Sequence, residues 1–161
     1  MIKKMFTALF LVSAILVGGE DPKSKTITCV VSGDEINKSE LKDHDHSTYR
    51  DGKVYFCCGG CKMDFDESPK KFAAKANFQL VSSGQYVQTA CPVNSGKIHT
   101  ERAKKKLKKV TVSGMEVDLC CPGCLKKYNK ASDKFALLFS DKGYEKGFSP
   151  KDSKKTQSKS K

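Results

Sequence analysis

Apolar and polar residues follow two rhythms along this chain. Runs with a period of two read as strands, and apolar residues recurring at helical spacing read as helices. Ser47-Thr48-Tyr49-Arg50 and Lys53-Val54-Tyr55-Phe56 flank Asp51-Gly52, which predicts a β-hairpin with a type I′ turn. Val110-Thr111-Val112 and Glu116-Val117-Asp118-Leu119 flank Ser113-Gly114-Met115 and predict a second hairpin. A helical pattern follows each. Phe65 and Phe72 share one helical face, and Pro69 between them predicts the start of a second short helix. Tyr128 and Phe135 repeat that spacing, with Ala131 and Leu138 on nearly the same face. The periodicity makes these aromatics core residues.

The recurrence extends to the cysteines. One window opens with Cys29-Val30-Val31-Ser32-Gly33 and reaches Cys57-Cys58-Gly59-Gly60-Cys61; the other opens with Cys91-Pro92-Val93-Asn94-Ser95-Gly96 and reaches Cys120-Cys121-Pro122-Gly123-Cys124. The opening cysteine precedes the vicinal pair by 28 residues in the first and 29 in the second. Such agreement marks an internal repeat. The expected fold class is α+β: two small tandem modules, each a β-hairpin followed by short helices in a treble-clef or zinc-knuckle layout, after an N-terminal signal helix. The expected boundaries are a signal peptide over 1–19, a first module over 26–76, a linker over 77–89, a second module over 90–146 and a basic disordered tail over 147–161.

Composition sharpens this picture. Eight cysteines in 161 residues, with no Trp, leave each module of about 50 residues a small apolar core, and domains of that size commonly need disulfides or a metal. Lys3 and Lys4, the apolar stretch Met5–Val17 and the small residues Val17-Gly18-Gly19 form a secretory signal pattern, with Glu20 as the expected first mature residue. Thirteen apolar positions are short for a membrane span, so the mature chain is expected to be exported to the periplasm, cell envelope or exterior without one. Removing that segment leaves 28 basic against 18 acidic residues, a net charge of +10. The basic residues gather in the tail and in the run Arg102, Lys104, Lys105, Lys106, Lys108 and Lys109. In an exported protein they favour anionic envelope surfaces over nucleic acid as the long-range partner.

The candidate chemistry is that of sulfur. In each repeat an early cysteine can meet a cluster at a strand-to-helix corner, where the positive end of the helix favours thiolates, the form that binds metal. Three thiolates would suit Cu(I) or another soft ion, and four would suit tetrahedral Zn. The candidate metal ligands are therefore Cys29, Cys57, Cys58, Cys61, Cys91, Cys120, Cys121 and Cys124. His44, His46 and His99 occupy unmatched places in the repeats and read as surface residues, although Asp43 and Asp45 alternate with the first two and could form an auxiliary site. Two rival readings stand beside metal binding. An even cysteine count in an exported chain fits a disulfide scaffold. Cys58-Gly-Gly-Cys61 and Cys121-Pro-Gly-Cys124 fit, more weakly, a thiol–disulfide oxidoreductase.

The series Cys29 … Tyr49-x-x-Gly52-Lys53-Val54-Tyr55-Phe56-Cys57-x3-Cys61-x3-Phe65-x3-Pro69-x-x-Phe72 resembles the YHS/TRASH family of metal-binding modules. The second copy resembles it through Cys91-Pro92-Val93, Gly114, Cys120-x3-Cys124, Tyr128 and Phe135, so the likeness covers about two thirds of the chain. The resemblance implies a non-enzymatic role in heavy-metal sensing, trafficking or resistance, with a metal-transport protein as a possible partner. It implies Cys29, Cys57 and Cys61, and Cys91, Cys120 and Cys124, as the ligands. The chain departs from the pattern in a longer gap after the first ligand, in Ser132 where the first copy has Pro69, and in the added Cys58 and Cys121.

Overall fold

The structure is a computed structural model that describes residues 25–151. The expected signal peptide over 1–19 and the tail residues 152–161 lie outside the described residues. The chain is mixed α+β, with four two-stranded antiparallel sheets and several helices among the described residues.

The first copy opens with β1 (Thr26–Thr28) paired to β2 (Glu35–Asn37), with Ile27 opposite Ile36 and both buried. A 3-10 turn over Lys38–Asp43 leads to the hairpin β3 (His46–Tyr49) and β4 (Gly52–Tyr55). Helix α1 (Gly59–Glu67) follows and ends at Ser68. Pro69 then opens a 3-10 turn, Pro69–Phe72, that runs into α2 (Ala73–Ser82), consistent with the second helix start that Pro69 predicts. Phe65 stacks its ring against Tyr49, Phe56 and Phe72 at 5.3–6.2 Å, so the aromatic periodicity marks core.

The second copy begins at β5 (Tyr86–Gln88) and the short α3 (Glu101–Lys104). The hairpin β6 (Lys108–Val112) and β7 (Met115–Leu119) leads to α4 (Pro122–Lys130), α5 (Lys134–Phe139), α6 (Asp141–Gly147) and β8 (Phe148–Pro150). Asp133 caps α5 by accepting the Ala136 N–H, so the chain breaks between α4 and α5 without a proline.

Both turns differ from their expected form by one residue. The first hairpin turns at Arg50-Asp51, with Tyr49 opposite Gly52 and Arg50 in the left-handed region at φ +53°. The Arg50 guanidinium donates to Asn77 Oδ1 at 2.9 Å and to Asp141 at 2.7 Å and lies 4.9 Å from the Tyr144 ring centre, and these contacts hold the unusual backbone. Gly52 serves a different purpose: a Cβ there would stand 2.7 Å from Leu80 Cδ2, because α2 packs against it. The second hairpin turns on two residues, Ser113 and Gly114, both at positive φ, where a three-residue connection was expected.

Residues 77–89, expected as a linker, hold most of α2 and all of β5. Ala76, Asn77, Gln79 and Leu80 of α2 are buried, and Phe78 meets the Phe135 and Phe139 rings at 5.4 and 5.0 Å. The two copies thus share one apolar core. Strand β5 pairs with β8, so residues 148–150 of the expected tail are structured. Helix α2, which closes the first copy, is a packing element common to both.

Candidate metal centres

Each early cysteine sits in a six-residue loop. In the first, Cys29 N–H donates to Asp34 O at 2.7 Å, Gly33 N–H donates back to Cys29 O at 3.0 Å, and Asp34 N–H donates to Ser32 Oγ at 3.2 Å. In the second, Cys91 N–H donates to Gly96 O at 2.9 Å, Ser95 N–H to Cys91 O at 2.8 Å, and Gly96 N–H to Asn94 Oδ1 at 2.9 Å. The fifth residue of each loop, Gly33 or Ser95, takes positive φ. The loop folds the backbone around the cysteine sulfur, and Cys29 and Cys91 are fully buried.

The remaining sulfurs come from the strand-to-helix corner. β4 ends at Tyr55 and α1 starts at Gly59, so Cys57 and Cys58 lie in the bend and Cys61 in the first helical turn. β7 ends at Leu119, which puts Cys120 and Cys121 in the matching bend and Cys124 in α4. Cys58 and Cys121 are the N-cap residues, both fully extended. Because the strands have ended, neighbouring cysteines are free of strict alternation between two faces.

A glutamine in each copy joins loop to corner. Gln79 donates to Thr28 O at 2.8 Å and Tyr55 O at 2.9 Å, and accepts the Tyr55 N–H at 2.7 Å. Thr28 precedes Cys29, and Tyr55 lies two residues before Cys57. Gln88 donates to Ala90 O at 3.0 Å and Asp118 O at 2.6 Å, and accepts the Asp118 N–H at 2.9 Å. Ala90 precedes Cys91, and Asp118 lies two residues before Cys120. These carboxamides supply the bonds a continuous sheet would have made, and they set the separation of the cysteine-bearing segments.

The outcome is two triads. The sulfurs of Cys29, Cys57 and Cys61 all lie within 4.8 Å of one another, as do those of Cys91, Cys120 and Cys124. Cys57 and Cys61 are 3.6 Å apart, and Cys120 and Cys124 are 3.7 Å apart. Thiolates held about 2.3 Å from a common ion stand roughly 3.8–4.0 Å from each other, so the triads fit a metal after small movements. Cys58 is exposed, with its sulfur 3.9 Å from that of Cys57; the Cys121 sulfur is 3.7 Å from that of Cys124. They stand beside the triads. No two of the eight cysteines are joined in a disulfide.

Electrostatics distinguish the sulfurs. Burial opposes ionisation of Cys29, but the Ser32 hydroxyl and the backbone N–H groups of Cys57, Ser32 and Val31 outweigh it and lower its pKa to about 7. The Ser32 hydroxyl also favours a Cys57 thiolate, yet desolvation, the neighbouring Cys61 and Cys29 thiols and the Cys29 charge push Cys57 up to about 12. Burial raises Cys61, Cys120 and Cys124. The N–H groups of Cys61 and Cys124, one helical turn on, lower Cys58 and Cys121 respectively. Within a triad, then, one negative charge opposes the next, and a cation at the centre would remove that opposition.

Among the described residues, no other His, Cys, Asp or Glu grouping lies close enough to hold a metal in this way. His44 Nδ1 is 3.1 Å from Phe56 O, His46 stacks near Tyr55, and His99 Nε2 is 3.2 Å from Gln88 O. Asp43, His44, Asp45 and His46 are not among the groups of three or more side chains brought within such reach. Sequence reasoning missed Gln79, Gln88, Ser32 and Asn94. The last two carried a signal, since each stands three residues after its opening cysteine.

The fold and these centres define a duplicated cysteine-cluster protein with two sites able to take a metal ion. Comparison with protein-family models, curated proteins and solved structures finds no match. Among the described residues, no helix is long and apolar enough to cross a membrane.

Proposed function

We propose that this chain binds thiophilic transition-metal ions through cysteine thiolates, one ion in each copy, in metal handling, resistance or sensing at the cell envelope. One observation carries the reading: corresponding loops and corners of two copies each bring three sulfurs together. The YHS/TRASH-like motif points the same way, with Cys29, Cys57 and Cys61, and Cys91, Cys120 and Cys124, as ligands. The role is binding and not catalysis. In each Cys-x-x-Cys pair the second cysteine, Cys61 or Cys124, also belongs to a triad with a buried cysteine, which favours a shared ion over a dithiol turning over.

The ion is soft. A trigonal three-sulfur set suits Cu(I), and recruitment of Cys58 or Cys121 would complete a four-sulfur set for Zn. The loop and corner around each triad act as a knuckle and helix, in the manner of small zinc modules. We place the mature protein outside the cytoplasm, after removal of the N-terminal leader. Its excess of lysine there favours contact with anionic surfaces, and the exposed Cys58 offers a metal-transport partner a sulfur.

The test is elemental analysis of protein isolated anaerobically from its own envelope, combined with thiol titration after chelation. The reading expects about two metal ions per chain, and eight reactive thiols once they are removed. Metal-free protein with almost no titratable thiol would replace it with the disulfide scaffold. Turnover of a disulfide substrate would replace it with the oxidoreductase.

A further inference from the structure

We propose that Ser32 and Asn94 make the two centres unequal: the Cys29 centre fills first and retains its ion, and the Cys91 centre fills last and releases its ion first. The inference rests on the metal-binding reading above. Ser32 and Asn94 hold the same station, three residues after the opening cysteine, and each faces the sulfur arriving from the corner. Ser32 Oγ lies 3.3 Å from Cys57 Sγ, and Asn94 Oδ1 lies 3.2 Å from Cys120 Sγ.

The two groups differ in what they can offer a metal-bound sulfur. A coordinated cysteine is a thiolate and can only accept hydrogen bonds. The Ser32 oxygen accepts the Asp34 N–H and keeps its one proton for a ligand sulfur of the first centre, that of Cys57 or of Cys29. The hydroxyl therefore serves loop and ligand together. The Asn94 oxygen accepts the Gly96 N–H at 2.9 Å. A Cys120 thiol can donate to that same oxygen, but a Cys120 thiolate cannot, and two acceptors then face each other. Turning the carboxamide over would present its NH2 to the sulfur and also to the Gly96 N–H, which would lose its acceptor. Filling the second centre costs one hydrogen bond in either orientation.

Crowding closes the remaining escape. A Cβ on Gly96 would stand 2.5 Å from Cys120 Sγ and 2.9 Å from Asn94 Oδ1, so sulfur and carboxamide are already pressed onto the loop. The first loop accommodates Asp34 at the corresponding station. One hydrogen bond to a metal-bound thiolate, kept at the first centre and missing from the second, predicts affinities that differ by about tenfold or more.

The experiment titrates the mature protein with Cd(II) under anaerobic, reducing conditions, against a chromogenic chelator, following thiolate charge-transfer absorption. Cys120→Ser leaves only the first centre, and Cys57→Ser leaves only the second. The expected result is stepwise filling, with the tighter step surviving in Cys120→Ser and the weaker in Cys57→Ser. Asn94→Ser should tighten the second centre by about tenfold, and the reciprocal Ser32→Asn should loosen the first by a similar factor. Two ions bound with equal affinity, or reciprocal exchanges that leave both affinities in place, would overturn the inference while leaving the metal-binding reading intact. No Cd(II) bound at all would defeat both.

Discussion

In the first copy, the glutamine that joins the two cysteine-bearing segments comes from a helix downstream of them; in the second it comes from the strand just upstream. Gln79 lies on α2, 50 residues after Cys29, whereas Gln88 lies three residues before Cys91. Both bond the residue before the early cysteine and the residue two before the vicinal pair. The duplication has kept the geometry of the bond and changed its source. The separation between loop and corner is thus what the fold maintains, and the element supplying the carboxamide is interchangeable. It also explains the shared core. With its glutamine on α2, the first copy needs that helix held in place, and the second copy's α5 and Phe139 pack against its far side.

Removing a buried sulfur should have the largest effect. Cys29→Ala and Cys91→Ala should each lower the bound metal from two ions to one, read by elemental analysis after gel filtration. Apparent binding free energies of structural cysteine sites are on the order of 10 kcal/mol, so the loss of thermal protection by metal should exceed that of any packing change below. Next comes the core that joins the copies. Phe139 is fully buried and contacts Phe78, Phe135 and Phe148. Phe139→Ala should cost about 3–5 kcal/mol in denaturant unfolding. The transition should remain single, since both copies lean on that ring; two separate transitions would show independent copies.

Substitutions at the glutamines should act at an intermediate scale. Gln79→Leu should cost about 1–3 kcal/mol, because it removes a buried carboxamide and leaves partly buried backbone groups of Thr28 and Tyr55 without their partner. It should weaken metal binding at the Cys29 centre alone, and Gln88→Leu at the Cys91 centre alone, as seen in titrations of single-centre variants. Equal effects on both centres would show a general loss of fold. The smallest effect concerns the ion pair between the copies. Hydrogen bonds from Asn77 and Arg50, and the Arg50 charge, hold the Asp141 carboxyl below its usual range against the opposing effect of burial. A carboxylate with a depressed pKa contributes stability above the ordinary aspartate range, and that contribution is lost as pH falls through the folded pKa. The Asp141 side chain is 56% exposed, so the contribution should be below about 1 kcal/mol. Asp141→Asn should lower stability at neutral pH by up to that amount and leave it nearly unchanged below the folded pKa, so that the acid limb of the stability curve flattens.

Particular residues show what could be read from the chain. The triads were legible because the cysteines recur at fixed offsets from hairpin and helix signals that recur with them. Phe65, Phe72, Tyr128 and Phe135 were legible as core because helical periodicity reports a buried face directly. The turn of the first hairpin was not. Arg50 adopts positive φ because Asn77, Asp141 and Tyr144 hold its side chain, and two of those lie more than 90 residues away. The Asp51-Gly52 pair resembled a turn signal, but its glycine is required by the approach of Leu80. The role of α2 was hidden for a related reason. Its apolar face is visible in the pattern, but the partner of that face belongs to the other copy. Buried Asn77 and Gln79 look like surface residues in sequence, and only their partners explain them.

The measurement closest to the central claim is X-ray absorption at the metal edge of protein loaded with two equivalents of Zn(II) or Cu(I). Sulfurs from a buried loop and from a strand-to-helix corner converging on one ion predict a first shell of three or four sulfurs at about 2.3 Å, with Cys29→Ser and Cys91→Ser each removing the ion of one centre. A shell dominated by nitrogen or oxygen, or two sulfur-bound ions retained in both substituted proteins, would contradict the account.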